Sequence, residues 1–173
     1  MVEVVLRAVR VDVGSSTPLL LLEEVGGSRV LPIFIGAPEA AAIAYALEGV
    51  SAPRPMSHDL LGTVITALGA RLFAIEIADL RDNTFFAKLH LLRGLEEISV
   101  SARPSDAVAL ALRVGAPILV NDELMAAEGK VMDLEALSES DDDDEVVETR
   151  SEAELVDELR QFLDQVRPED FGA

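Results

Sequence analysis

Ser101-Ala102-Arg103-Pro104-Ser105-Asp106-Ala107-Val108-Ala109-Leu110-Ala111-Leu112-Arg113 reads as the end of a strand, a turn at Arg103-Pro104, and a helix with almost no polar surface. Proline suits the first helical position, because its missing N–H would have had no partner there and its φ is already helical. Ser105 and Asp106 fall in the first turn, where the helix dipole favours negative charge. From Ala107 to Leu112 the chain is apolar all round, the pattern of a helix covered on most sides. An arginine, a serine and a carboxylate therefore stand together at the mouth of a buried helix.

Upstream of this stretch the pattern is strand, strand, strand: Arg71 to Ala78, a turn at Leu80-Arg81-Asp82-Asn83, Phe85 to Leu91, a turn at Arg93-Gly94, and Glu96 to Ser101. The first half has the same order. Val2 to Val13, Leu19 to Glu24 and Val30 to Ile35 read as strands, with Gly26-Gly27 as a tight hairpin turn. A helix runs from Pro38 to about Leu47, and after the stiff Ala52-Pro53-Arg54-Pro55 link Ser57 caps a second helix. Shifting the first half by 66 positions superposes Leu6 on Leu72, Pro38 on Pro104, Ala41 on Ala107 and Gly49 on Gly115. The expected fold class is α+β: two βββαα-like units forming a mixed or antiparallel sheet with packed helices, related by an approximate twofold.

The composition narrows the function. The chain of 173 residues has no cysteine, which excludes disulfides and thiolate metal sites. Its start alternates and carries charge early, unlike a signal peptide, and no apolar run approaches the roughly 20 residues needed to cross a bilayer. A soluble, cytoplasmic protein without membrane attachment is expected. The net charge is −18. Residues 135–173 hold 15 acidic and three basic residues, so two thirds of that excess lies in the tail. The remaining domain is only mildly acidic. That argues against a basic-faced, tight DNA binder, and an enzyme holding phosphodiesters at a local arginine cluster can tolerate it.

Domain boundaries follow from the same shift. Residues 1–135 form the folded domain, and 136–150, with Asp141-Asp142-Asp143-Asp144-Glu145, are an acidic linker expected to be disordered. Residues 151–168 open on a Ser151-Glu152-Ala153-Glu154 capping box and carry Leu155, Leu159, Phe162 and Val166 on one stripe. Such an amphipathic C-terminal helix docks on its own domain, a sister subunit or a protein partner.

Three blocks carry a family resemblance: Leu31-Pro32-Ile33-Phe34-Ile35-Gly36 leading into Glu39-Ala40-Ala41-Ala42-Ile43, then Arg54-Pro55-Met56-Ser57-His58-Asp59-Leu60-Leu61, then Arg103 to Ala111 followed by Ala116-Pro117-Ile118. In order and spacing they resemble the bifunctional nuclease family, small proteins credited with DNase and RNase activity. The resemblance implies a nuclease hydrolysing phosphodiester bonds of DNA and RNA with little sequence specificity, and a homodimer whose groove carries the site.

The candidate site residues follow. Arg103 and Arg54 suit phosphate binding, and a helix N-terminus adds anion-binding N–H groups. His58 suits acid–base work; Asp59, Ser105 and Asp106 complete the catalytic set, the two aspartates activating water or holding a metal. Glu39 occupies the position of Ser105 in the other unit and is a candidate for substrate binding in the same cleft, or else complements the helix dipole. The cofactor is open, with an oxygen-liganded cation such as Mg²⁺ the candidate for Asp59 and Asp106. A plainer alternative stands beside each role: Asp106 as a first-turn carboxylate paired with Arg103, Asp59 and His58 as decoration of a capped helix start, and His90 on the solvent side of a strand. The alternative function is a non-catalytic dimeric binding module for a small anionic ligand or a protein partner. The acidic surface and the scarcity of aromatic residues for base stacking favour it.

Overall fold

Two three-stranded meanders flank one short strand in a single sheet. The computed structural model describes residues 1–12, 14–50 and 52–131; the acidic run and the 151–168 helix lie outside the described residues. Val2–Asp12 (β1), Thr17–Glu24 (β2) and Arg29–Phe34 (β3) form the first meander. Ala70–Arg81 (β4), Thr84–Arg93 (β5) and Glu96–Ala102 (β6) form the second. Ile118–Val120 (β7) lies between them and Lys130–Val131 (β8) at one edge, giving the order β6-β5-β4-β7-β1-β2-β3-β8. β7 is parallel to β4 and antiparallel to β1, so β1 and β4 run in opposite directions. That is what a twofold normal to the sheet would leave. With the helices Ala37–Leu47 (α1), Ser57–Ala67 (α2), Pro104–Val114 (α3) and Asp122–Glu128 (α4), the class is α+β.

The expected repeat holds for element order through α3 and then departs. The second half inserts β7 before α4, where the first half has a linker. Under the shift of 66, Leu119 and Asn121 correspond to Pro53 and Pro55. Two prolines without N–H groups cannot occupy a strand hydrogen-bonded on both sides. The two units form halves of one mixed sheet, as expected.

The core fills the side of the sheet facing the helices. Leu20, Leu22, Leu31, Ile33, Ile75, Ile77 and Val120 meet Ile43 of α1 and Ala107, Val108, Leu110 and Ala111 of α3. α3 lies centrally, packed against α1, α2, β4 and β5, which is why its residues Ala107–Ala111 are buried. Gly115 at its end takes φ +69°, a left-handed C-cap that suits glycine. β1 carries a bulge between Leu6 and Ala8. The alternation therefore shifts there, and Val9, not Ala8, joins Val2, Val4 and Leu6 on the core side.

Several local expectations change. The β4–β5 turn is only Asp82-Asn83, both at positive φ, because aspartate and asparagine tolerate the left-handed geometry of a two-residue hairpin. The Gly26-Gly27 turn is a longer loop, Val25 to Ser28, closed by a two-pronged Arg29–Glu24 pair. Met56, not Ser57, is the cap of α2: Asp59 Oδ2 accepts the Met56 N–H at 2.9 Å, so Ser57 is already helical. His90 is half-buried rather than solvent-side, with Nε2 2.9 Å from Glu76 Oε2 and its ring 5.9 Å from that of Phe73.

Candidate active site

The mouth of α3 is built by Arg103 in an extended conformation and Pro104 as the first helical residue. This geometry turns the Arg103 side chain back over the first turn. Its Nε donates to Asp106 Oδ2 at 2.7 Å and its Nη2 to Asp106 Oδ1 at 3.0 Å, a fork on a carboxylate. Nη1 donates to Glu39 Oε1 at 2.7 Å, tying the first turn of α1 to that of α3. Glu39 can fold back because residue 36 is glycine: a Cβ there would stand 2.3 Å from Glu39 Oε2. The guanidinium remains largely exposed.

His58 approaches the same carboxylate from α2. Its Nε2 is 3.4 Å from Asp106 Oδ1, and its side chain is mostly covered. Arg103, Asp106 and His58 thus form a continuous guanidinium–carboxylate–imidazole chain across two helix starts. The Asp106 carboxyl is held below the usual aspartate range, chiefly by the Arg103 hydrogen bonds and further by His58, against partial burial. Arg103 is correspondingly held more firmly protonated by Asp106 and Glu39.

Asp59 faces elsewhere. It caps α2 at Met56 and accepts from Arg113 Nε at 2.7 Å. The Met56 N–H comes first among the causes that hold its carboxyl low, with the Arg113 hydrogen bond helping and desolvation opposing. Arg113, which the sequence reading did not single out, also donates Nη1 to Ala109 O and Nη2 to Ala42 O, both within 2.9 Å. One side chain from the end of α3 thereby fastens α1 and α2. The available signal was a lone arginine in the last turn of an apolar helix.

Arg54 is exposed on the link before α2 and makes no hydrogen bond or ion pair among the described residues. Ser105 is 6% exposed. With Arg103, Glu39, Phe34 and Phe85 it lines a cavity of about 300 Å³. His58 and Asp59 line a second, more open depression of about 540 Å³ with Arg113. Asp106 connects the two by touching a residue of each.

For an oxygen-liganded cation the fit is poor. Both Asp106 oxygens accept from Arg103 and both Asp59 oxygens are engaged. Among the described residues no three histidine or carboxylate side chains converge as a metal site would require.

Fold and site together define an α+β domain whose helix entrances converge on a paired arginine, carboxylate and imidazole. The chain belongs to the bifunctional nuclease domain family, whose model matches residues 20–133. An uncharacterised Mycobacterium tuberculosis protein is 44% identical over 171 residues, covering 99% of this chain and 98% of the relative. Bifunctional nuclease 1 of Oryza sativa subsp. indica is 28% identical over 106 residues, 60% of this chain and 32% of that protein. Bifunctional nuclease 2 of Arabidopsis thaliana is 27% identical over 124 residues, 69% of this chain and 38% of that protein. No helix among the described residues is long and apolar enough to cross a membrane.

Proposed function

We propose that the protein is a nuclease that hydrolyses phosphodiester bonds of DNA and RNA with little sequence preference, acting in the cytoplasm as a homodimer. The observation that carries this reading is the chain from Arg103 through Asp106 to His58. Arg103 presents an exposed guanidinium to phosphate oxygens, and the N–H groups opening α3 add to the anion site. Asp106 orients the imidazole. With the proton of neutral His58 on Nε2, facing the carboxylate, Nδ1 carries the lone pair that accepts a proton from water. The water oxygen then forms its bond to phosphorus as the P–O bond to the leaving nucleoside oxygen breaks. Asp59 acts beside it through the helix start it caps, and Arg54, exposed four residues before His58, offers a second phosphate contact. The homodimer has support in α2, which buries none of its residues and exposes Leu60, Leu61 and Val64.

One observation favours the second reading, a non-catalytic module for a small anionic ligand or a protein partner. Arg103 is already paired with two carboxylates, as in a structural cluster. The test is direct. Wild type, His58→Ala and Asp106→Asn are incubated with plasmid and with RNA, with and without Mg²⁺. Loss of a general acid or base should lower the rate about 10²- to 10⁴-fold. Cleavage surviving at the wild-type level in both variants would mark a contaminant and favour the binding module.

A further inference from the structure

The cavity beside Arg103 brings together side chains from both halves of the chain. Phe34 reaches it from the end of β3, Asn83, Thr84 and Phe85 from the β4–β5 hairpin, and Arg103 and Ser105 from the mouth of α3. Its volume of about 300 Å³ is enough for a small ligand. Ser105 is 6% exposed, yet its hydroxyl has no hydrogen-bond partner among the described residues. Among the described residues no fully buried side-chain polar atom lacks a partner, so this hydroxyl is open to the cavity that Ser105 lines and is free to meet a ligand there. Phe34 is 59% exposed although it ends the strand that buries Val30, Leu31 and Ile33. It makes no ring contact with Phe85 among the described residues. Asn83, one of the two positive-φ residues of the hairpin, also lines the cavity.

Resting on the reading of this site as one that receives phosphodiesters, we infer that the cavity is a nucleobase subsite. Ser105, Arg103 and the N–H groups of α3 take the phosphate of one nucleotide unit. Phe34 and Phe85 give its base an apolar, stacking surface, and Asn83 and Thr84 meet the base edge. Stacking accepts every base because each has a π-face, which accords with low sequence preference. The scarcity of aromatic residues in the sequence is offset by two of the six phenylalanines lining one cavity.

The test uses the full chain and three probes, AMP, dTMP and ribose 5-phosphate, with binding read by calorimetry. Wild type should bind both nucleotides at least tenfold more tightly than ribose 5-phosphate. Phe34→Ala, at an exposed position that should leave the thermal melt unchanged, should weaken both nucleotides by roughly five- to a hundredfold, the worth of a stacked base. It should leave ribose 5-phosphate untouched, whereas Ser105→Ala should weaken all three. Equal affinity for AMP and ribose 5-phosphate, equal loss of both in Phe34→Ala, or no binding of AMP would each overturn the subsite. If AMP binds with this dependence while plasmid and RNA stay intact, the subsite stands and hydrolysis falls. If wild type and Phe34→Ala cut both polymers at the same KM, hydrolysis stands and the subsite falls.

Discussion

Arg113 Nε lies 2.7 Å from Asp59 Oδ1, and this ion pair joins the last turn of α3 to the first turn of α2. The same guanidinium holds the carbonyls of Ala109 and Ala42. Three helices thus share one fastener, and His58 is the residue next to the one it grips.

Arg113→Ala should accordingly destabilise the domain by about 2–4 kcal/mol, since it removes a well-covered side chain, its bonds to two helix carbonyls and the partner of Asp59. Arg113→Lys should recover only part of this, because an ammonium cannot reproduce the fork. Urea midpoints at unchanged slope give the measurement. A loss below 0.5 kcal/mol, the range about typical of plain surface substitutions, would mean that the helices are held by apolar packing alone.

Acid should loosen the site through Asp106. Its folded pKa lies below the ordinary value, chiefly because of Arg103. In the window between the two values the unfolded chain binds more protons, so stability rises with pH there. The contribution is complete above the ordinary aspartate value, about pH 4, and is lost as the pH falls through the depressed one. Asp106→Asn should therefore flatten the acid limb of a stability–pH curve measured by urea unfolding. An unchanged limb would show that the Arg103 fork does not persist in solution.

Arg103 Nη1 donates to Glu39, so on the proposed reading Glu39 would compete with phosphate for it. Glu39→Gln should therefore tighten oligonucleotide binding a few-fold at low salt, an advantage that fades as salt screens the site. Stability should change by at most about 1 kcal/mol, as for exposed pairs generally. Weaker binding in a titration by fluorescence anisotropy would instead make Glu39 a substrate ligand.

What could be read from the sequence was what proline, glycine and periodicity fix locally. Pro104 and Gly115 bounded α3, and its unbroken apolar run told of its burial. Asn121 is of a residue type that starts helices, and it accepts from the N–H groups of Glu123 and Leu124. β7 was not legible: three residues are too few to show a period, and its place is set by β1 and β4, distant in sequence. At the site, Arg103 and Asp106 could be paired because they are three apart on a helix start. The approach of His58 to Asp106 depends on how α2 crosses α3, which no local pattern encodes. Met56 escaped notice as a cap because it lacks a capping side chain; Asp59, three residues on, serves its N–H instead.

β7 is made late but sits in the middle. Until the ribosome has released Ile118–Val120, Val2–Val4 and Ile75–Ile77 lack a strand on the side that β7 will fill, and each emerging meander carries one open border. Such borders invite pairing with other chains, so the first hundred residues should be a poor folding unit by themselves. The order of synthesis thereby makes the nascent protein a natural client for chaperones until its last central piece arrives.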